Sequence, residues 1–116
     1  MFTLPIHDLY FSNTGDSKKI AFSGDVYDGY FSDIQFIWPL SFSLKLESGE
    51  KSILVTIESL HARIRKDEKT HDIEIRKKKK VFRKETSKNT PFSIHTEDYT
   101  IDIAPFIHEV ILLSLG

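Results

Sequence analysis

The chain predicts an α+β fold: an antiparallel β-rich sheet, or a partly open barrel of hairpins, with one C-terminal helix. Three observations predict it. Leu40, Phe42, Leu44 and Leu46 alternate with Ser41, Ser43 and Lys45, the period of a half-buried strand. Turn signals recur between short apolar runs, at Asp28-Gly29, Glu47–Glu50 and Asp67–Thr70. Near the C-terminus, Ile103, Phe106, Ile107, Val110, Ile111 and Ser114 recur at helical spacing.

The elements follow in order. Thr3–Leu9 reads as a short strand or extended lead-in, limited by Pro5. Phe11–Lys19 is a polar loop with a turn signal at Asn13-Thr-Gly15. Ile20–Tyr27 alternates weakly. Asp28-Gly29 then predicts a two-residue hairpin turn, with Tyr30–Trp38 as the return strand, stopped by Pro39. Leu40–Leu46 is the cleanest strand. Ser52–Arg65 is the longest, with Ile53, Val55 and Ile57 on one face, and then Leu60, Ala62 and Ile64. The apolar parity switches from odd to even near Glu58-Ser59, which predicts a bulge or bend there. Asp72–Phe82 returns as one strand, with Ile73 and Ile75 inward, then four lysines, then Val81 and Phe82. Glu85–Thr90 is a loop closed by Pro91, and Phe92–Ile94 adds a short strand. Asp102 is the predicted N-cap of the final helix, and Pro105 suits its first turn.

Bulk properties bound the function classes. At 116 residues, 40% apolar and 28% charged, residues 1–116 make a single domain large enough for one core. There is no cysteine, so disulfides and thiolate metal sites are excluded. Met1–Tyr10 lacks a basic n-region and a long apolar run, so no signal peptide is expected. Val110–Leu113 is the longest apolar stretch, far short of a membrane span. A cytoplasmic protein that does not engage a membrane is the expectation; the sequence sets no oligomeric state.

Charge is uneven. Between Arg63 and Lys88 stand 12 Lys and Arg against 5 Asp and Glu, although the whole chain has 16 against 17. One concentrated basic element in a near-neutral chain is a candidate for local contact with a polyanion. The run Arg76-Lys-Lys-Lys-Lys-Val-Phe-Arg-Lys84 cannot be buried on either face of a strand, because alternate lysines point to opposite sides. It must therefore lie at a hairpin end or a sheet edge. Two readings follow: an edge strand protected from aggregation by its lysines, or a phosphate-contacting surface. In the second, the candidate RNA-binding residues are Arg63, Arg65, Arg76, Lys77, Lys78, Lys79, Lys80, Arg83 and Lys84, with Phe82 placed for base stacking. A nuclear-type address or an acidic protein partner also fits such a run.

Other chemistry has weaker footing. His7, His61, His71, His95 and His108 show no metal-ligand spacing, so neither a metal nor a cofactor is expected. The acids Asp25, Asp28, Asp33, Glu97 and Asp98 sit where turns and a helix start explain them. No glycine-rich phosphate loop or nucleophile elbow exists, and no residue stands out as catalytic, so the expectation is a protein that is not an enzyme. The aromatic density at Tyr27-Asp-Gly-Tyr-Phe31 suggests an exposed recognition tip.

The segment Ile101-Asp-Ile-Ala-Pro-Phe-Ile-His-Glu-Val-Ile-Leu-Leu-Ser-Leu-Gly116 resembles the Ile-Asp-Leu, Pro-Leu-Ile, Glu, Leu-Leu-Leu signature of the YceD-like family, proteins associated with accumulation of large-subunit ribosomal RNA. Met1-Phe-Thr-Leu-Pro-Ile-His-Asp-Leu9 is similar to the family's N-terminal strand. Leu60-His-Ala-Arg-Ile-Arg65, with Asp72-Ile-Glu-Ile75 and Val81-Phe82, is similar to its central strand pair. The family's Cys-x-x-Cys pair would fall at Ala62 and Arg65, so no metal role carries over, and the loop that is acidic in the family is basic here. The resemblance implies a non-catalytic ribosome-biogenesis factor with ribosomal RNA or a pre-ribosomal particle as partner. A protein partner is the other expectation, with the chain acting as an interaction module that binds no nucleic acid.

Overall fold

The computed structural model describes residues 2–27, 29–84 and 91–116. In chain order the elements are β1 (Thr3–Pro5), α1 (His7–Tyr10), β2 (Ser17–Gly24), β3 (Gln35–Phe36), β4 (Leu40–Gly49), β5 (Ser52–Lys66), β6 (Lys69–Ile75), β7 (Lys78–Lys84), β8 (Ser93–Ile94), β9 (Thr100–Asp102) and α2 (Ala104–Leu115). The main sheet runs β2-β4-β5-β7-β8, with β3 and β6 also on β5, and it does not close into a barrel. All its pairs are antiparallel except β7 with β8. β1 and β9 form a separate antiparallel pair. The α+β expectation holds.

β5 is the organising strand, because its two halves take different neighbours on the same edge. Ser52–Ile57 pairs with β7, and Leu60–Lys66 pairs with β6. The predicted bulge is present: Ser43 faces Ser59 while Leu44 faces Ile57, so Glu58 is the extra residue. It turns Leu60, Ala62 and Ile64 back to the side that Ile53, Val55 and Ile57 occupy, and all six are buried.

The same parity change recurs on the facing chain. Ile73 and Ile75 face inward in β6, and Phe82 does so in β7, so the expected single strand Asp72–Phe82 breaks at Arg76-Lys77. Lys77 supplies the break with a left-handed φ of 57°. The β5–β6 turn at Asp67-Glu68 has both residues at positive φ, 53° and 65°, which matches the right-handed strand twist.

The core lies on one face of this sheet. α2 covers it with Phe106, Ile107, Val110 and Ile111, and Phe2, Ile6 and Leu9 fill in from the N-terminus. Phe2 sits edge-on to Phe22 and Tyr30, at 5.4 and 5.5 Å between centroids. Asp102 does cap the helix start, but from the end of β9. Its carboxylate accepts the Ala104 N–H at 3.0 Å, while Ile103 holds the N-cap position. Ser114, expected on the apolar stripe, is exposed.

Two expectations need correction. The hairpin pairing Ile20–Tyr27 with Tyr30–Trp38 does not form. β2 pairs instead with β4 over its full length, and only Gln35–Phe36 is strand, paired with β5. β4 offers a continuous alternating edge, whereas Val26, Phe31 and Ile34 lie outside any strand and turn into the core. Asp28, at the expected turn, lies outside the described residues, as does the loop expected at 85–90. The lead-in Thr3–Leu9 splits into β1 and the single helical turn α1, which buries Leu9.

Candidate nucleic-acid interface

Cross-strand partners share a face, so the register sorts the nine predicted residues. On β7, Lys78 is opposite Ile57 and Lys80 opposite Val55, which are core positions; both lysines therefore emerge on the core side, at the rim of the sheet. Lys79, opposite Thr56, and Arg83, opposite Ser52, project from the outer face. Arg63 and Arg65 project there too, because Ala62 and Ile64 point inward. Arg76 lines the same outer face beside Ser41, Ser43 and Ser59. Lys77 sits in the kink, and Lys84 is opposite Ile94 of β8. The run is thus divided between two sides rather than gathered into one patch. The sheet-edge placement expected for it holds among the described residues: β8 pairs with Arg83 and Lys84, and Lys78–Phe82 have no described strand on that side.

Partners divide the set again. Lys80 Nζ lies 2.9 Å from Glu109 of α2 and 4.3 Å from the centre of the Phe92 ring, so it ties the strand to the helix. Arg63 Nε donates to Asp72 at 2.9 Å, with its guanidinium 4.3 Å from the Trp38 ring centre. Arg76 donates to Glu74 at 3.0 Å. Arg65, Lys77, Lys78, Lys79, Arg83 and Lys84 are exposed and have no carboxylate partner among the described residues. These six are the cations available to an external anion.

Phe82 is corrected outright. It is fully buried, packed edge-on to Phe92 at 5.8 Å, and cannot stack on a base. Only one of the adjacent pair Val81-Phe82 faces the core, and the register gives that place to Phe82. The Tyr27–Phe31 tip is half realised. Tyr27 is 62% exposed, but Phe31 is buried and stacked on His108 at 5.1 Å.

Sequence reasoning missed Trp38. It is 45% exposed, held over β5 where the Ile37 N–H donates to the Arg63 carbonyl at 2.8 Å, and it faces His61 with 6.4 Å between rings. A lone tryptophan directly before a strand-stopping proline is the available signal. Beside it, the outer face dips into a shallow concavity of about 490 Å³ floored by Ala21, Ser41, Ser43 and Ser59 and edged by His61, Glu74 and Arg76. Short side chains on three neighbouring strands create the dip. The Ser43 and Ser59 hydroxyls are hydrogen-bonded at 3.0 Å.

Titratable groups add one structural pair. His108 Nε2 donates to Asp33 Oδ1 at 2.7 Å, pinning α2 to the loop before β3. Burial acts to raise the Asp33 carboxyl pKa, but the hydrogen bond and charge of His108, with Lys66 nearby, outweigh it and leave the group below its ordinary value. Burial raises the Tyr30 hydroxyl, helped by the charge of Asp102. Among the described residues, no three His, Asp or Glu converge as a metal site, and no helix is long and apolar enough to cross a membrane. Compared with known protein families, curated proteins and solved structures, the chain matches none.

Proposed function

We propose that the protein is a non-catalytic ribosome-biogenesis factor of the YceD-like type, acting in the cytoplasm, that supports large-subunit ribosomal RNA by contacting its phosphates. The observation that carries this reading is the row of exposed, unpaired cations on and beside an edge strand, Lys77, Lys78, Lys79 and Arg83, with Arg65 on the same sheet. Cations already committed to carboxylates gain little from a phosphate, since one ion pair replaces another. Unpaired ones release counterions from the nucleic acid at no such loss. Arg63, Arg76 and Lys80 accordingly serve as secondary contacts, Lys84 as a flanking one. The protein-module alternative has less support, because burial of Phe31 leaves Tyr27 as the one exposed ring of that tip.

The test is a mild pull-down of tagged protein from cells, read for RNA. Large-subunit ribosomal RNA enriched by the wild type and lost with Lys77→Gln/Lys78→Gln/Lys79→Gln supports the reading. Equal recovery by both, or protein partners without ribosomal RNA, contradicts it.

A further inference from the structure

We infer that the outer sheet face around Trp38 is a base-stacking site, and that the RNA taken there is single-stranded. This rests on the RNA reading above. Trp38 is the only tryptophan in the chain, and it is left 45% in water on the face opposite the core. Its backbone is anchored to β5 through the hydrogen bonds that Ile37 and Trp38 make to the Arg63 carbonyl, at 2.8 and 3.4 Å, so the ring is held against that strand. The Arg63 guanidinium lies 4.3 Å from the ring centre, which makes a mixed aromatic and cationic platform of the kind that holds an unstacked base.

The surroundings suit a nucleotide strand better than an apolar peptide. The concavity next to His61 is floored by serine hydroxyls, which can both donate to and accept from base edges and 2′-hydroxyls. Arg76 stands at its edge, paired to Glu74 at 3.0 Å, and the unpaired Lys79 lies further along on the same face. From Arg63 to Thr56, the residue opposite Lys79, is seven residues of β5, roughly 20 Å at about 3.3 Å per residue. That length accommodates the roughly four or more nucleotides of a small single-strand site. A duplex keeps its bases stacked on one another and offers no free base to Trp38.

Because the chain has one tryptophan, its intrinsic emission reports this site alone. The experiment titrates the protein at low salt with a single-stranded adenylate oligomer of about 12 nucleotides, then with an RNA duplex of the same length. Quenching by the single strand and none by the duplex is expected; in anisotropy titrations of end-labelled oligomers, which need no tryptophan, Trp38→Ala should weaken single-strand binding about tenfold and duplex binding by less than twofold. Circular dichroism checks that the variant is folded, and Trp38→Phe should recover part of the affinity. Equal quenching by the duplex overturns the inference. So does single-strand binding that is lost with Lys77→Gln/Lys78→Gln/Lys79→Gln but unaltered by Trp38→Ala, a result that leaves the phosphate reading standing. No binding of either RNA overturns both, and would leave Trp38 to a protein contact.

Discussion

β7 and α2 are treated oppositely by the same sheet. α2 carries an apolar stripe whose 3.6-residue period brings Phe106, Ile107, Val110 and Ile111 to one side, and all are buried. β7 carries a run of like charge whose period of two sends Lys79 outward and Lys78 and Lys80 toward the rim of the core. A helix collects a chemical run onto one surface, whereas a strand divides it. One lysine of the strand is thereby drawn into structure: Lys80 bonds Glu109 of the helix. Lys78, Lys79, Arg83 and Lys84 stay in water. The two elements meet at that ion pair, so the division between stability and binding runs through the strand itself.

The largest effect should come from the helix. Ile107→Ala removes a fully buried side chain and should cost about 2–5 kcal/mol in chemical denaturation, while leaving the RNA affinity of the folded fraction unchanged. A loss of affinity in protein verified as folded would erase the contrast between the two elements. Next, Lys79→Gln should weaken RNA binding more than Lys80→Gln, because Lys79 is unpaired on the outer face and Lys80 is committed to Glu109. Electrophoretic or anisotropy titrations of the two variants would sharpen the division, and a reversed order would contradict it. Glu109→Gln frees Lys80. It should lower stability by at most about 1 kcal/mol, as partly exposed pairs do, and leave RNA binding equal or tighter.

The smallest effect concerns acid. The Asp33 carboxyl is held below its ordinary value, so its contribution to stability is complete above the unfolded-state value near about pH 4 and is lost as the pH falls through the lowered folded value. Thermal midpoints from pH 5 downward should therefore drop more for the wild type than for Asp33→Asn. An identical decline in both would remove that pair from the anchoring of α2.

How much was legible in the sequence follows the same physics. Alternation in Leu40–Leu46, the parity switch at Glu58-Ser59 and the helical spacing after Ile103 are single-chain periodicities, and each appears where expected. The partner of β2 was not legible, since Asp28-Gly29 signals a local turn while the longer edge of β4 wins the pairing. The break at Lys77 left no compositional trace, because a lysine at positive φ is held there by the strands on both sides. Val81 and Phe82 are both apolar, so only the register on β5 decides which is buried. The nine basic residues were found as a set, but their division into paired and unpaired cations depends on Glu74, Asp72 and Glu109. Of these, Glu109 lies on an element remote in sequence. Trp38 counts in the sequence among aromatics suited to the core; its exposure is decided by the fold, which lays it on the wet face of β5.

The most direct measurement is the affinity of the wild type and of Lys77→Gln/Lys78→Gln/Lys79→Gln for single-stranded ribosomal RNA across a salt series. If the exposed lysines contact phosphates, the logarithm of the wild-type affinity falls linearly with the logarithm of salt, and the variant's slope is shallower by about 0.7 per lost contact. Parallel slopes with equal affinities, or no binding at low salt, would contradict it.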